Sequence, residues 1–546
     1  MNALVRMNQL GYLPGMRKWF VTDVKAEEFE VLDAEGTCVW MGRLEGPHML
    51  PASAETVFVG DLSAVDQAGL YTIRIPGVGT GPAFRIGPDV YIDVQQALLK
   101  FFYYQRCGTD LLPQYAGAWT HAACHLGDCI DYEQPQLRRP SPGGWHDAGD
   151  YGKYTVAAAV TVADLLLAYE CFPQVFAIPV GIPESGGDIP DILSEVAYEL
   201  RWLWTMQRAD GAVYHKVTTK EFPGLGVMPE NDLAPLYFAP VSAAATGAFA
   251  AVMAMAARVY RTVHPELATR CLQAARRAYH WREENPQAAS QGFINPPDIH
   301  TGEYGDVVVA DEWYWASAEL WRATGDMEYL AAAQRIHAEG GFDSLGLGWA
   351  DVGGYGTLAL LLGGARESGL GTDADWLAGP SRAWQERAQS LAALSQANPY
   401  GVCLDEPDYI WGSNMVLLHR AMHLIFADRL AQTDTYREQA LAQLHYLLGC
   451  NPLAQCYVSG FGYRPMIHPH HRPSVADGVL EPVPGMVAGG PNRHRQDEAA
   501  RARLREGTPP ARCYVDDEGS YSTNEVAIYW NAPAVFVAAY ANASKI

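Results

Sequence analysis

Over the first 88 residues, hydrophobic and polar positions alternate with a period of two, in short β-branched and aromatic runs broken by Gly, Pro and Asp. Trp19–Asp23, Phe29–Leu32, Cys38–Leu44, Thr56–Leu62, Leu70–Ile75 and Ala83–Ile86 are the candidate strands. Six or so strands at this spacing predict a small antiparallel sandwich of immunoglobulin-like type. No titratable cluster stands out in it, so it reads as a structural module, with carbohydrate binding as the alternative. After Gly87-Pro88 the period lengthens to about 3.6 and stays there. Helices are predicted over Val94–Tyr104, Thr155–Tyr169, Pro190–Gln207, Val241–Thr262, Pro265–Glu284 and Asp311–Thr324. They continue over Met327–Glu339, Tyr355–Glu367, Ser381–Ala397, Gly412–Ala431, Thr435–Leu448 and Val526–Tyr540. The Pro190 segment shows the logic: Pro at the first turn, then Ile192, Leu193, Val196, Leu200 and Leu203 on one apolar stripe. With no βαβ alternation, Rossmann and TIM folds are excluded. A dozen helices joined by long Gly/Pro-rich loops predict an α-solenoid or an α/α toroid, with function in the loops. The expected division is therefore 1–88, a β-sandwich, and 89–546, an all-α domain.

Composition narrows the partners. At 546 residues the chain exceeds what one core usually serves. Hydrophobic residues at 49% and charged residues at 18% describe a folded chain rather than a disordered one. A net charge of −23 repels phosphate backbones and anionic lipid surfaces, so nucleic acid and membrane are not expected partners, whereas a neutral substrate is unaffected. The 15 Trp and 29 Tyr suit sugar faces as well as cores. Ten scattered cysteines read as thiols or metal ligands, not a disulfide framework. No run of 18 apolar residues is present, and the strand pattern follows Met1 almost at once. Taken literally this reads as cytoplasmic; a chain whose export signal had been removed would read the same and be secreted.

Candidate chemistry collects in five places. Gly143–Tyr154 (Gly-Gly-Trp-His-Asp-Ala-Gly-Asp-Tyr-Gly-Lys-Tyr) sets Asp147 and Asp150 three residues apart in a loop entering a helix. The pair can face a cleft, or Asp150 can cap the helix. Cys107, Cys124, His125 and His146 form a two-thiol, two-imidazole set suited to a closed tetrahedral zinc site. Their spacing is not that of a standard finger, His121 and Cys129 compete, and buried thiols with ordinary loop histidines are the alternative. Asp306, Asp311, Glu312 and Asp351 offer hard oxygen ligands for calcium, unless Asp311 and Glu312 only favour a helix N-terminus. Ile467–Ser474 (Ile-His-Pro-His-His-Arg-Pro-Ser) lies outside any predicted helix, where imidazole and guanidinium can bind sugar hydroxyls or hold a carboxylate charged. In Cys513–Ala532, Glu525 opens an apolar helix beside Val526, Ala527 and Ile528. Burial there would raise its pKa toward that of a general acid, unless Ser522–Glu525 is a capping box.

Together these motifs resemble family 9 of the glycoside hydrolases, in the branch carrying an N-terminal immunoglobulin-like domain ahead of an (α/α)6 barrel. The resemblance covers nearly the whole chain. It rests on Val5-Arg6-Met7-Asn8-Gln9-Leu10-Gly11-Tyr12, the Gly143–Tyr154 loop, Trp411-Gly412-Ser413-Asn414, and Tyr457–Gly462 leading to Pro469-His470-His471-Arg472. It continues through Gly489-Gly490-Pro491-Asn492 and Asp516…Tyr521…Glu525…Asn531-Ala532. It implies an inverting endo-β-1,4-glucanase, a monomer acting on cellulose or soluble β-glucan. Asp150 would be the general base, Asp147 would help hold the attacking water, and Glu525 would be the general acid, with base and acid about 6.5–9.5 Å apart. His470 and Arg472 would line the subsite of the cleaved sugar, Asp516 would orient its neighbours, and Tyr521 would line the cleft. Structural zinc falls to Cys107, Cys124, His125 and His146, and calcium to Asp306, Asp311, Glu312 and Asp351, although Val308 and Val309 stand where relatives often carry polar groups. An exo-acting enzyme on short gluco- or glucosamine oligosaccharides is the alternative, and a non-catalytic binding protein the remote one.

Overall fold

The computed structural model describes residues 4–364 and 373–543, with the side chains of 373–375 left undescribed; the end of the predicted helix Tyr355–Glu367 lies outside the described residues. Seven strands form the N-terminal sandwich: β1 (Trp19–Thr22), β2 (Glu28–Leu32), β3 (Cys38–Leu50), β4 (Glu55–Asp61), β5 (Gly69–Ile75), β6 (Gly79–Thr80) and β7 (Phe84–Ile86). They run in the order β1-β4-β3-β2-β5-β6, with β7 also on β5, all antiparallel. Val5, Phe20, Phe29, Val31, Ile73 and Ile75 fill the core without exposure, the inward half of the period-two pattern. Two details depart from the prediction. β3 continues past Leu44 to Leu50 through a register shift between Glu45 and His48, and β6 was not expected.

The chain divides into two compact units. The first unit joins Met1–Phe101 to Glu386–Val475 and Val479–Ile546; the second holds Phe102–Gln385 with Ala476–Gly478. Within the first unit the opening motif explains why the sandwich shares a body with the C-terminal helices. Arg6, 1% exposed, donates to Glu55 at 2.5 Å, to the Tyr400 hydroxyl at 2.6 Å and to Asp23 at 2.9 Å. Gln9 donates to the Ala454 carbonyl at 2.8 Å and accepts from the Tyr463 and Arg464 amides. Buried polar groups need such partners, and here Tyr400, Ala454, Tyr463 and Arg464 come from hundreds of residues away. The helix Ser413–Ala431 packs on Arg437–Leu447 and Ile528–Ala543.

In the second unit the Ala-rich helix Ala243–Val259 is central, packing on Thr155–Cys171, Pro265–Glu284 and Ala310–Thr324. Small side chains let it bury nearly its whole circumference, and Ser242 caps it by accepting from the Ala245 amide. Ala310–Thr324 in turn carries Met327–Glu339 and Gly353–Gly364. The predicted helices are observed with ends shifted by a few residues, and the one expected over Ser381–Ala397 begins earlier, at Asp373. Unexpected is a second sheet in this unit, built from β8 (Asp128–Asp131), β9 (Arg138–Pro140), β10 (Lys153–Tyr154), β11 (Lys216–Thr218) and β12 (Tyr237–Phe238) in the order β10-β11-β12-β8-β9. Strands of two to four residues carry too few positions to show a period, so only pairing between loops defines them. The helix Arg472–Ala476 corrects the expectation that Ile467–Ser474 is free of helix, its Pro473 suiting a first turn. Among the described residues no helix is long and apolar enough to cross a membrane.

Candidate active site and metal clusters

The loop Gly143–Tyr154 is held through many of its backbone groups. Gly144 has a φ of +74°, and a Cβ there would sit 2.7 Å from Cγ of Trp202, so only glycine fits the turn. Its carbonyl accepts from the Cys107 amide at 2.8 Å. The Trp145 amide donates to Glu199 at 2.6 Å and its indole to Glu195 at 3.2 Å, while Gln105 donates to the carbonyls of His146 and Ala148. Lys153 reaches back to the carbonyls of Ser141 and Gly143. Asp147 and Asp150 are left at 1% and 6% exposure. The Tyr304 hydroxyl donates to Oδ2 of Asp147 at 2.5 Å, whereas its Oδ1 is buried and takes no hydrogen bond. Burial first, then the neighbouring Asp150 charge, push Asp147 well above the usual carboxylate range. Oδ2 of Asp150 accepts from the Gly152 amide at 2.9 Å and the Tyr154 hydroxyl at 3.3 Å. The helix-cap alternative loses its support, because the N-cap of Thr155–Cys171 is Tyr154, with no side-chain capping bond.

The thiols and imidazoles expected to bind metal do come together. Ligand atoms of Cys107, Cys124, His125 and His146 all lie within 4.8 Å of one another. Sγ of Cys107 is 3.9 Å from Nδ1 of His125, and Sγ of Cys124 is 3.8 Å from Nε2 of His146. A tetrahedron with metal–sulfur and metal–nitrogen bonds of zinc length has sulfur–nitrogen edges of about 3.6 Å, so the set fits a four-coordinate ion closely. His125 has a φ of +53°, uncommon for a residue with a side chain. Asp232 faces its Nε2 at 3.4 Å, the second-layer carboxylate that fixes a ligating imidazole. Burial holds His146 down to about 4, in the neutral form that ligation requires. His121 and Cys129, the competing candidates, fall outside the group.

Asp306, Asp311 and Glu312 form a second group in the same unit. Oδ2 of Asp306, Oδ1 of Asp311 and both oxygens of Glu312 are buried and take no hydrogen bond. Burial raises all three carboxyls, Asp311 to about 6. A favourable helix dipole explains acids in the first turn of Ala310–Thr324, but not four orphaned oxygens around Asp306; a hard cation would satisfy them. Asp351, the fourth residue expected here, lies outside this close group and is exposed, though its charge still acts on Asp306.

In the first unit, His470, Arg472, Asp516, Tyr521 and Glu525 are brought onto one small framework. His470 and Glu525 are paired in a parallel bridge, the His470 amide donating to the Asn524 carbonyl at 2.9 Å. On the other side the Gly489 amide donates to the Glu525 carbonyl at 2.8 Å. Glu525 is therefore an extended residue (φ −66°, ψ 159°), half-buried, at the end of the short helix Tyr521–Asn524, and the apolar helix begins only at Ile528. This corrects the expectation that Glu525 opens that helix. The capping-box alternative also fails, since the amide and hydroxyl of Ser522 both turn to Asp497. Asp516 accepts from the Ile467 and His468 amides and from the Asn524 side chain, which ties the histidine segment to the one bearing Glu525. Nδ1 of His470 meets the Glu518 carbonyl at 2.6 Å, and burial holds this imidazole down to about 4. The Tyr521 ring lies 5.2 Å from Trp411 and 6.0 Å from His470, an aromatic surface on which Trp411 stays 40% exposed. Asn414 joins the same framework by donating to the Ala488 carbonyl.

Sequence reasoning missed Tyr304, Tyr154, Glu199 and Asp232. Tyr304 carried no signal beyond its aromatic character; its left-handed φ of +48° becomes visible only in three dimensions.

Residues 91–538 match the sequence model of glycosyl hydrolase family 9, and residues 2–80 that of the cellulase N-terminal ig-like domain. The chain belongs to glycosyl hydrolase family 9. A cellodextrinase of Butyrivibrio fibrisolvens is 37% identical over 97% of this chain and 98% of its own length. A thermostable endoglucanase from Alicyclobacillus acidocaldarius has the same fold, with a TM-score of 0.92 and 43% identity over 99% of this chain and all of its own. A Zn-binding triple mutant of the family 9 endoglucanase J30 follows at a TM-score of 0.88 and 33% identity over 97% and 99%. The fold class expected from sequence, an immunoglobulin-like β-domain followed by the helical (α/α)6 catalytic domain, is that of these structures.

Proposed function

We propose that the chain is an inverting endo-β-1,4-glucanase acting on cellulose or soluble β-glucan, with residues 89–546 as its catalytic part. Asp150 takes a proton from water as the water oxygen attacks the anomeric carbon. Asp147 helps hold that water, and Glu525 gives its proton to the departing glycosidic oxygen. One water is consumed, one carbon–oxygen bond is made and one broken. His470, Arg472, Asp516 and Tyr521 form the sugar-binding surround of Glu525. The observation that carries the reading is the use of the Asp147–Asp150 loop. Its carboxylates are buried at a cost of several kcal/mol, yet the helix that follows takes its N-cap from Tyr154 without a side-chain bond. Such burial is typical of groups kept for chemistry.

Cys107, Cys124, His125 and His146 would hold a structural zinc, and Asp306, Asp311 and Glu312, with Asp351 nearby, a calcium ion. Zinc bound there would cross-link the loop through His146, one residue before Asp147; it would not activate water. In support, a triple mutant of one relative of known structure, endoglucanase J30, binds zinc. A second reading, exo action on short oligosaccharides, gains support from the cellodextrinase relative.

Three outcomes follow. Asp150→Asn and Glu525→Gln should each lower kcat on a soluble β-glucan by about 10²–10⁴-fold with the fold intact; activity surviving within tenfold would defeat the assignment. Metal analysis of the purified chain should find close to one zinc, lost together with thermal stability in Cys107→Ser, and well under one equivalent would count against the site. On carboxymethylcellulose, viscosity should fall steeply before many reducing ends appear; a slow fall in step with reducing ends would favour the exo reading.

A further inference from the structure

β10 and β11 set Tyr154 directly opposite Lys216 in an antiparallel pair. Lys216 is fully buried, an expensive place for an ammonium group unless its protons are all used. They are used: Nζ donates to Oδ1 of Asn295 at 2.7 Å, to the Gly302 carbonyl at 2.6 Å and to the Thr301 hydroxyl at 3.3 Å. None of these acceptors carries a full charge, so the cation is fixed in place without being neutralised by a partner at contact. The same Nζ lies 5.5 Å from the centre of the Tyr154 ring. The Tyr154 hydroxyl in turn donates to Oδ2 of Asp150, the oxygen that also accepts from the Gly152 amide. A Cβ on residue 152 would lie 2.7 Å from that oxygen, so glycine is needed for the close approach.

We propose that Lys216 is a positioning residue for the base: its buried ammonium, aligned through the Tyr154 ring and hydroxyl, holds Asp150 as an oriented carboxylate beside Asp147. This rests on Asp150 being the general base. Other groups bearing on the pair are accounted for. Tyr304 donates to Asp147, and Glu303 acts on Lys216 from the segment supplying Gly302. The adjacent His215 is held neutral by burial, its pKa pushed down to about 3, and its nitrogens face Ser242 and the Glu303 carbonyl. Burial lowers Lys216 to about 7 even though Asp150 and Glu303 pull it upward, so the ammonium prevails on the acid side of neutrality, where the acid limb of the base lies.

The test is the pH dependence of kcat/KM on a soluble cellodextrin, measured with the full chain. Removing the cation disfavours ionised Asp150, so its pKa rises and the acid limb moves to higher pH. Lys216→Met should move that limb up by roughly one pH unit and lower kcat about tenfold, with KM changed little. Lys216→Arg, which keeps the charge, should return the limb toward its original position even if kcat stays low. Tyr154→Phe, which removes only the hydroxyl, should shift the limb in the same direction by less. An acid limb unmoved in Lys216→Met overturns the proposal, whatever happens to thermal stability. If that variant does not fold, an unmoved limb in Tyr154→Phe does so instead. Asp150→Asn separates the two layers: if it stays active, the base assignment fails, whereas its inactivity together with an unmoved limb defeats only the role of Lys216.

Discussion

Two carboxylates buried three residues apart set the terms for the second unit. Ionised together, Asp147 and Asp150 would repel each other, and each has lost most of its water, so the loop that carries them depends on other elements to hold it. Its neighbours divide that work. Trp145 is clamped by Glu195 and Glu199 from the helix Asp191–Met206, Gln105 fastens the carbonyls of His146 and Ala148, and Lys153 gathers those of Ser141 and Gly143. The Cys/His group adds His146 to a metal-sized cluster, and the unexpected second sheet brings Lys216 opposite Tyr154.

The first unit solves a different problem with similar means. Glu525 is presented from an extended strand-like residue, bridged on one side to His470 and bonded on the other to Gly489, rather than from a helix turn. Its carbonyl is held by the Gly489 amide and its chain direction by the bridge to the His470 segment, a firmer mounting than a fraying helix start. Asp516 and Asn524 then lock the histidine segment to the same framework. The buried Arg6 and Gln9 fasten the N-terminal sandwich to this body, which makes that domain a brace rather than an appendage.

Most of the helical plan was legible because burial imposes a period on it. The limits of Pro265–Glu284 and Met327–Glu339 were readable to the residue from Pro and Asp at their starts and Asn or Gly at their ends. The sandwich strands were legible for the same reason, at period two. What escaped was structure specified by pairing across long separations: the five short strands of the second sheet, and the bridge that holds Glu525. No local pattern distinguishes an extended Glu525 from one opening a helix, and the apolar run after it favoured the wrong choice. The candidate site residues stood out because Asp, His, Cys and Arg gathered in Gly- and Pro-rich loops have few structural reasons to be there. Tyr304 and Lys216 lacked that mark, an ordinary tyrosine in one loop and a lysine in a strand of three.

The central proposal is that Asp150 activates water and Glu525 protonates the leaving oxygen, a division of roles that goes with inversion. Proton NMR of the hydrolysis of a β-linked cellodextrin, recorded before mutarotation, reads the first anomer formed. The account predicts the α-anomer as the initial product, and an initial β-anomer would contradict it.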